Sequence, residues 1–282
     1  MQLITKPQKN YELLDSGEGF KLERFGDVIL CRPDPQALWN KALSKEVWGN
    51  AHAHFDKSWS KKRDIPASWN IEMNGLTFRI KLSVFKHVGI FPEQFENWQW
   101  ISNIISKANR KTSVLNLFGY TGGATLAALS AGADVCNVDG SKVSIAWAKE
   151  NAEISGLGDK PVRWILDDVI TFLKREVKRG HTYDAIIMDP PAFGRGPDGE
   201  VWKIEEHFSE LMTLVKKLLS ADPLFVLVNG YASGYSAIAY ENALRDTFSQ
   251  MKGSFESGEV TIEESREAGR LLPAGIFARW NA

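Results

Sequence analysis

The sequence predicts a doubly wound α/β fold on a mostly parallel, seven-stranded sheet, preceded by a small β-rich N-terminal domain. Three observations carry this. From Val114 onward, apolar runs of strand length alternate with helical stretches, the rhythm of a parallel sheet covered on both faces. The first run, Thr112-Ser-Val-Leu-Asn-Leu-Phe-Gly-Tyr-Thr-Gly-Gly-Ala-Thr125, passes through a glycine-rich turn into a helix of small residues. The strands that follow end in acids, at Asp139, at Asp167-Asp168 and at Asp189.

The elements follow in order. Residues 1–83 form the β-rich part, where alternation over Gly26–Pro33 and Trp69–Leu82 gives strands and Asn74-Gly75 gives a hairpin turn. Pro35–Trp48 is expected to be a short helix. Lys57, Lys61, Lys62 and Arg63, interleaved with Trp59 and Trp69, mark either a solvated loop or an RNA contact. A helix over Pro92–Ala108 starts on a proline, which suits a first helical turn. Strands are expected near 113–118, 134–138, 162–166, 184–188 and 224–229, with helices near 122–131, 141–155, 168–179, 204–220 and 236–251. Two further strands, at Glu259–Glu264 and Ala274–Trp280, with a turn at Pro273, close the sheet as a hairpin. The division is placed at 1–83 and 84–282.

Composition sets limits. The 282 residues are 44% hydrophobic and carry a formal net charge of −1, so nucleic acid would need a local positive patch. Two cysteines, Cys31 and Cys136, make no disulfide framework and lack metal spacing, so no metal is expected. No apolar run reaches membrane-spanning length. The expectation is a soluble, cytoplasmic protein whose oligomeric state is left open.

The glycine turn lets backbone approach a ligand closely, and the helix after it offers free N–H groups. Its spacing, Gly119-x-x-Gly122-Gly123, is not the Gly-x-Gly-x-x-Gly of dinucleotide binders and argues against a pyrophosphate and a dehydrogenase. A carboxylate at Asp139 suits two ribose hydroxyls, both donors. Asp168 suits an adenine amino group and equally an N-cap, and the two roles are compatible.

Val114–Phe193 resembles the class I S-adenosylmethionine-dependent methyltransferases, with their Rossmann-like sheet. More narrowly it resembles those that modify bases of large-subunit ribosomal RNA. Asp189-Pro-Pro-Ala-Phe193 matches their Asp-Pro-Pro-x-Phe motif, and Lys86-His-Val-Gly-Ile-Phe-Pro-Glu-Gln94 is similar to their segment that closes over the cofactor. The likeness covers roughly residues 70–282. It implies S-adenosylmethionine held by Asn116, Phe118, Gly119, Tyr120, Thr121, Gly122, Asp139, Gly140, Ser141, Asp167, Asp168 and Asp189. His87, Gly89, Phe91, Pro92, Glu93 and Gln94 would complete the pocket.

Proline cannot donate to a parallel ladder, so Asp189-Pro190-Pro191 ends its strand rigidly. Asp189 and the backbone carbonyl beside Pro190 then form fixed acceptors for a base, with Phe193 as a stacking face. Asn229 either positions the base or caps its strand. Arg195, in the glycine-rich Pro191–Gly199, marks a mobile substrate loop. Carbon-methylating relatives place a nucleophilic cysteine after the fifth strand. Here Val226-Leu-Val-Asn-Gly-Tyr-Ala-Ser-Gly234 contains none, which points to methylation of nitrogen. The alternatives are a methyltransferase for a protein or small molecule, and a catalytically silent RNA-binding module.

Overall fold

The computed structural model describes residues 1–231 and 234–282; Ala232 and Ser233, within the cysteine-free segment after the fifth parallel strand, lie outside the described residues. The N-terminal strands are β1 (Gln2–Thr5), β2 (Tyr11–Gly17), β3 (Phe20–Phe25) and β4 (Val28–Pro33). After helix α1 (Lys45–Gly49) come β5 (Ala53–Phe55), β6 (Trp59–Lys61), β7 (Trp69–Met73) and β8 (Leu76–Ile80). A 3-10 turn, Pro92–Gln94, leads into α2 (Phe95–Lys107). Then follow β9 (Ser113–Leu117), α3 (Gly123–Ser130), β10 (Asp134–Asp139), α4 (Lys142–Ile154), β11 (Val162–Leu166), α5 (Val169–Arg179) and β12 (Ala185–Met188). A short hairpin, β13 (Phe193–Arg195) and β14 (Val201–Lys203), precedes α6 (Ile204–Leu218), β15 (Phe225–Gly230), α7 (Ala237–Phe248), β16 (Ser254–Glu263) and β17 (Leu271–Asn281).

The large sheet has the order β1-β16-β17-β15-β12-β9-β10-β11. The strands β15, β12, β9, β10 and β11 run parallel, β17 lies antiparallel to β15, and helices cover both faces. The apolar runs of these strands explain the burial: Leu115, Val138, Ile186 and Val226 share one core with Phe172, Leu214, Val215, Phe248 and Trp280. The sheet has eight strands where seven were expected. The addition is β1 at the edge, where Thr261 Oγ1 donates to the Leu3 carbonyl at 3.1 Å. A four-residue polar-apolar strand carries too little periodicity to be read from sequence.

Three expectations are corrected. The final turn is at Glu264–Arg270, and Pro273 lies inside β17. The Glu264 carboxylate closes it by accepting from the Arg270 backbone N–H at 3.0 Å and from the Arg266 and Arg270 side chains. The helix expected over Pro35–Trp48 is confined to Lys45–Gly49, because the buried Asp15 carboxylate takes the backbone N–H groups of Ala42 (3.0 Å) and Leu43 (2.8 Å). Pro191–Gly199 is no simple loop: its first part pairs in β13–β14, with Gly194 opposite Trp202.

The chain divides into two compact units. One comprises residues 1–2, 97–259 and 275–282, the other residues 3–96 and 260–274. The sequence alone offered a single cut, between 83 and 84. The division is discontinuous because Glu264 and Arg270 bond Asp15 and Ser16 within the second unit.

Candidate active site

Strand register builds the site in the larger unit. Leu117 of β9 lies opposite Val138 of β10 and Met188 of β12, and Met188 lies opposite Val228 of β15. The next residues, Asp139, Phe118, Asp189 and Asn229, therefore form one row along the carboxyl ends of four parallel strands. The chain goes from β9 outward to β10 and β11, then crosses to β12 on the other side. The row thus spans a topological switch point, where doubly wound sheets bind ligands.

The turn after β9 is strained. Phe118 (φ 57°) and Tyr120 (φ 46°) are left-handed without being glycine, at a cost of about 1 kcal/mol or more each. Gly119 between them leaves no room for a side chain unless the network below shifts: a Cβ there would lie 2.0 Å from Asn137 Oδ1. Beneath the turn, Thr125 Oγ1 donates to Asn137 Oδ1 at 2.7 Å and Asn116 Nδ2 donates to Thr125 Oγ1 at 2.9 Å, all buried. Asn151 Nδ2 holds the Thr121 carbonyl at 2.9 Å. Asn116 therefore supports the turn from below. Gly122 caps α3 without a side-chain hydrogen bond, so the first-turn N–H groups keep no side-chain partner from the cap.

Asp139 accepts the Tyr120 N–H on Oδ2 and the Ser141 N–H on Oδ1, each at 2.8 Å. Burial raises its carboxyl above the ordinary value against the pull of those two donors. Both oxygens keep a second lone pair for hydroxyl donors. Ser141 caps α4 through Ser144. Asp168 caps α5 through the Thr171 N–H at 2.8 Å, and Asp167 pairs with Arg175. Close approach explains two glycines: a Cβ on Gly140 would lie 3.0 Å from the Arg195 carbonyl, and one on Gly196 would lie 3.1 Å from Asp168 Cβ. The β13–β14 hairpin thus packs beside Asp168 and Gly140.

Asp189 has a different environment. Burial alone pushes its carboxyl up to about 6. Phe193 is 55% exposed, with the Arg195 guanidinium carbon 5.9 Å from its ring centre. Asn229 is buried, and its Oδ1 accepts from Asn97 Nδ2 at 3.0 Å. Trp202 fixes the motif in place. Its Nε1–H donates to the Pro191 carbonyl at 2.6 Å, and its ring lies 4.9 Å from Phe118 and stacks on His207 at 5.6 Å.

His87, Gly89, Phe91, Pro92, Glu93 and Gln94 belong to the smaller unit. Gly89 is left-handed (φ 101°), and the His87 and Phe91 rings lie 5.2 Å apart. Burial, then Arg32, Lys86 and Lys21, push His87 down to about 4. Glu93 is 3% exposed, and burial pushes it up to about 7 against Lys21 and Arg32. Its Oε2 is buried without a hydrogen-bond partner, which fits a ligand's donor.

Thr125, Asn137, Asn151 and Trp202 were not anticipated. The signal for Asn137 was available, as a polar residue inside the apolar run Val135–Val138 should carry a buried network. Trp202 had none, since its role depends on pairing across a hairpin. Among the described residues no group of three or more His, Cys, Asp or Glu could hold a metal, and no helix is long and apolar enough to cross a membrane.

A glycine turn on the first strand, acids on the next two and an antiparallel closing strand define an enzyme class that takes a nucleoside cofactor. Residues 55–252 match the S-adenosylmethionine-dependent methyltransferases, and the chain belongs to that family. A crystal structure of the S-adenosylmethionine-dependent methyltransferase from Agrobacterium tumefaciens is 39% identical, with a TM-score of 0.96 over 100% of this chain and 93% of that one. Ribosomal RNA large subunit methyltransferase I of Aeromonas salmonicida is 36% identical over 124 residues, 44% of this chain and 30% of the relative. Ribosomal RNA large subunit methyltransferase K/L of Shewanella sp. (strain MR-4) is 26% identical over 220 residues, 75% of this chain and 29% of the relative. The matched region is thus under a third of the length of these two relatives.

Proposed function

We propose that this enzyme methylates a nitrogen of an RNA base, with large-subunit ribosomal RNA as its substrate in the cytoplasm. The observation that carries the reading is Asp189: a half-buried carboxylate, raised to about 6, at the end of a rigid Asp-Pro-Pro segment beside an exposed Phe193. Asp139 would hold the cofactor ribose and Asp168 the adenine amino group, with Gly119–Gly122 and Gly140-Ser141 as the backbone cradle. When bound, S-adenosylmethionine supplies a methyl group activated on a sulfonium, so alignment accounts for much of the rate.

The remaining work falls to the chain. Phe193 stacks on a base out of its helix, and the Pro190 carbonyl orients the base edge. Asp189 would accept the proton that the base nitrogen sheds when it takes the methyl group. Both cysteines support nitrogen over carbon. Cys31 and Cys136 are buried and their thiols are pushed up to about 11 by burial, so neither forms a thiolate at neutral pH. Mass mapping of ribosomal RNA from a deletion strain tests the reading. One missing N-methyl group supports it; a missing C-methyl group, or an unchanged RNA, overturns it.

A further inference from the structure

Between β8 and the His87–Gln94 segment, the chain makes a tip at Ser83-Val84-Phe85 that combines two properties rarely found together. It is tightly held. Trp59 Nε1–H is shared between the carbonyls of Ser83 (2.9 Å) and Phe85 (3.1 Å). Ser83 Oγ accepts the Phe85 N–H at 3.2 Å and donates to the His87 carbonyl at 2.7 Å. Trp59 is itself braced by an edge contact with Phe55 at 5.3 Å. Yet Phe85 is 70% exposed and Val84 86% exposed. A backbone this well bonded could turn a large ring inward; here it presents the ring to solvent.

The neighbouring charge is net positive. Residues 56–64 carry Lys57, Lys61, Lys62 and Arg63 against Asp56 and Asp64, in a chain whose net charge is −1. All six are exposed. Strand alternation puts Lys61 on the same side of β6 as Trp59. With both tip carbonyls engaged by Trp59, the surface offers an aromatic face and cations. The matching partner has flat π-faces at intervals along a polyanion.

We propose that this surface binds single-stranded RNA: Phe85 stacks on an unpaired base, and Lys61, on the Trp59 side of β6, meets an adjoining phosphate. The proposal rests on the reading of the substrate as RNA and deepens it, because it places a substrate contact in the smaller unit, two residues ahead of His87. Base stacking on an exposed ring tolerates any sequence, so this contact supplies affinity, while the Asp189 site supplies the choice of atom.

The test uses the full chain and a fluorescein-labelled oligoadenylate, read by anisotropy over a series of salt concentrations. Phe85→Ala should weaken binding by roughly tenfold at every salt concentration, and Phe85→Trp should restore it. Lys61→Ala should flatten the log–log salt slope by about 0.7, and Lys62→Ala, on the opposite side of the strand, should change it less. Unchanged thermal melting and unchanged S-adenosylhomocysteine affinity in Phe85→Ala show that the loss is local. Wild-type affinity in Phe85→Ala, or no binding by the wild type, overturns the proposal. Transfer of tritiated methyl to protein-free ribosomal RNA separates the two readings. Phe85-dependent binding without any transfer sinks the reaction and leaves the surface. Transfer by the wild type that Phe85→Ala matches in rate and affinity sinks the surface alone.

Discussion

The two edges of the parallel sheet treat their carboxylates in opposite ways. At the edge where the strands begin, Glu176 is fully buried and bonded by Tyr183 (2.6 Å), His181 (2.9 Å), Arg179 and Arg163. These donors hold it down to about 2 despite burial. Asp184 there is also held low, by the Ser113 backbone and side chain, Arg110 and Ser220. At the edge where the strands end, Asp139 and Asp189 are raised, and burial is the first cause for each. Carboxylates at one edge have their partners within the protein. At the other, burial outweighs the two backbone donors to Asp139 and stands alone at Asp189, the contrast expected between a structural network and the proposed ligand site.

Four substitutions can break or sharpen this contrast. The largest effect should come from Asp189→Asn, which should lower kcat by about a hundredfold or more while leaving cofactor affinity, measured by calorimetry, within a factor of about two. A pH series adds a sign. The folded value near 6 lies above the ordinary 3.8, so the stability this group contributes is complete below about pH 3.8 and is lost as pH rises through 6. Asp189→Asn should therefore melt higher than wild type above pH 6, while wild-type turnover rises across the same range. A lower melting temperature at pH 8 would place Asp189 with the structural carboxylates.

Glu176→Ala should come next, costing about 3 kcal/mol in denaturant unfolding at pH 7, because it leaves two arginines and a buried phenol without their acceptor. Its folded value near 2 lies below the ordinary 4.5. The stabilisation is thus present above about pH 4.5 and lost as pH falls toward 2, where variant and wild type should converge. Per folded molecule, kcat should not move. Asp139→Ala should cost about 1.5–3 kcal/mol of cofactor affinity by calorimetry; unchanged affinity in a folded variant would remove Asp139 from the pocket. The smallest effect is expected from replacing Cys31 and Cys136 together with alanine, which should leave methyl transfer intact in single-turnover assays. A folded, cofactor-binding double variant that transfers nothing would require a thiol nucleophile.

Much of this was legible because the parallel strands are short apolar runs that stop at a glycine turn or at an acid. The strand ends at Leu117, Asp139, Leu166 and Met188 follow from that pattern, and the acids beside them make up the proposed site. What escaped depends on partners distant in sequence. Pro273 looks like a turn but lies in a strand, because the chain has already reversed around the Glu264 carboxylate. The glycines of Pro191–Gly199 suggest a free loop, yet Trp202 ties that segment to Pro191. The polar run near Pro35 lost its helix to an acid at position 15.

The discontinuous unit also bears on the order in which the protein is made. Arg270 donates to Asp15 Oδ1 at 2.7 Å across 255 residues, and Glu264 accepts from Ser16 across 248. Residues 3–96 leave the ribosome before residues 97–259, and the acid at Asp15 waits for its arginine until that whole stretch has been synthesised. Contacts of such separation form late and slowly. A segment translated ahead of the parallel sheet is therefore among the last to become native, and in the interval the Asp15 carboxylate waits without the cation that later neutralises it.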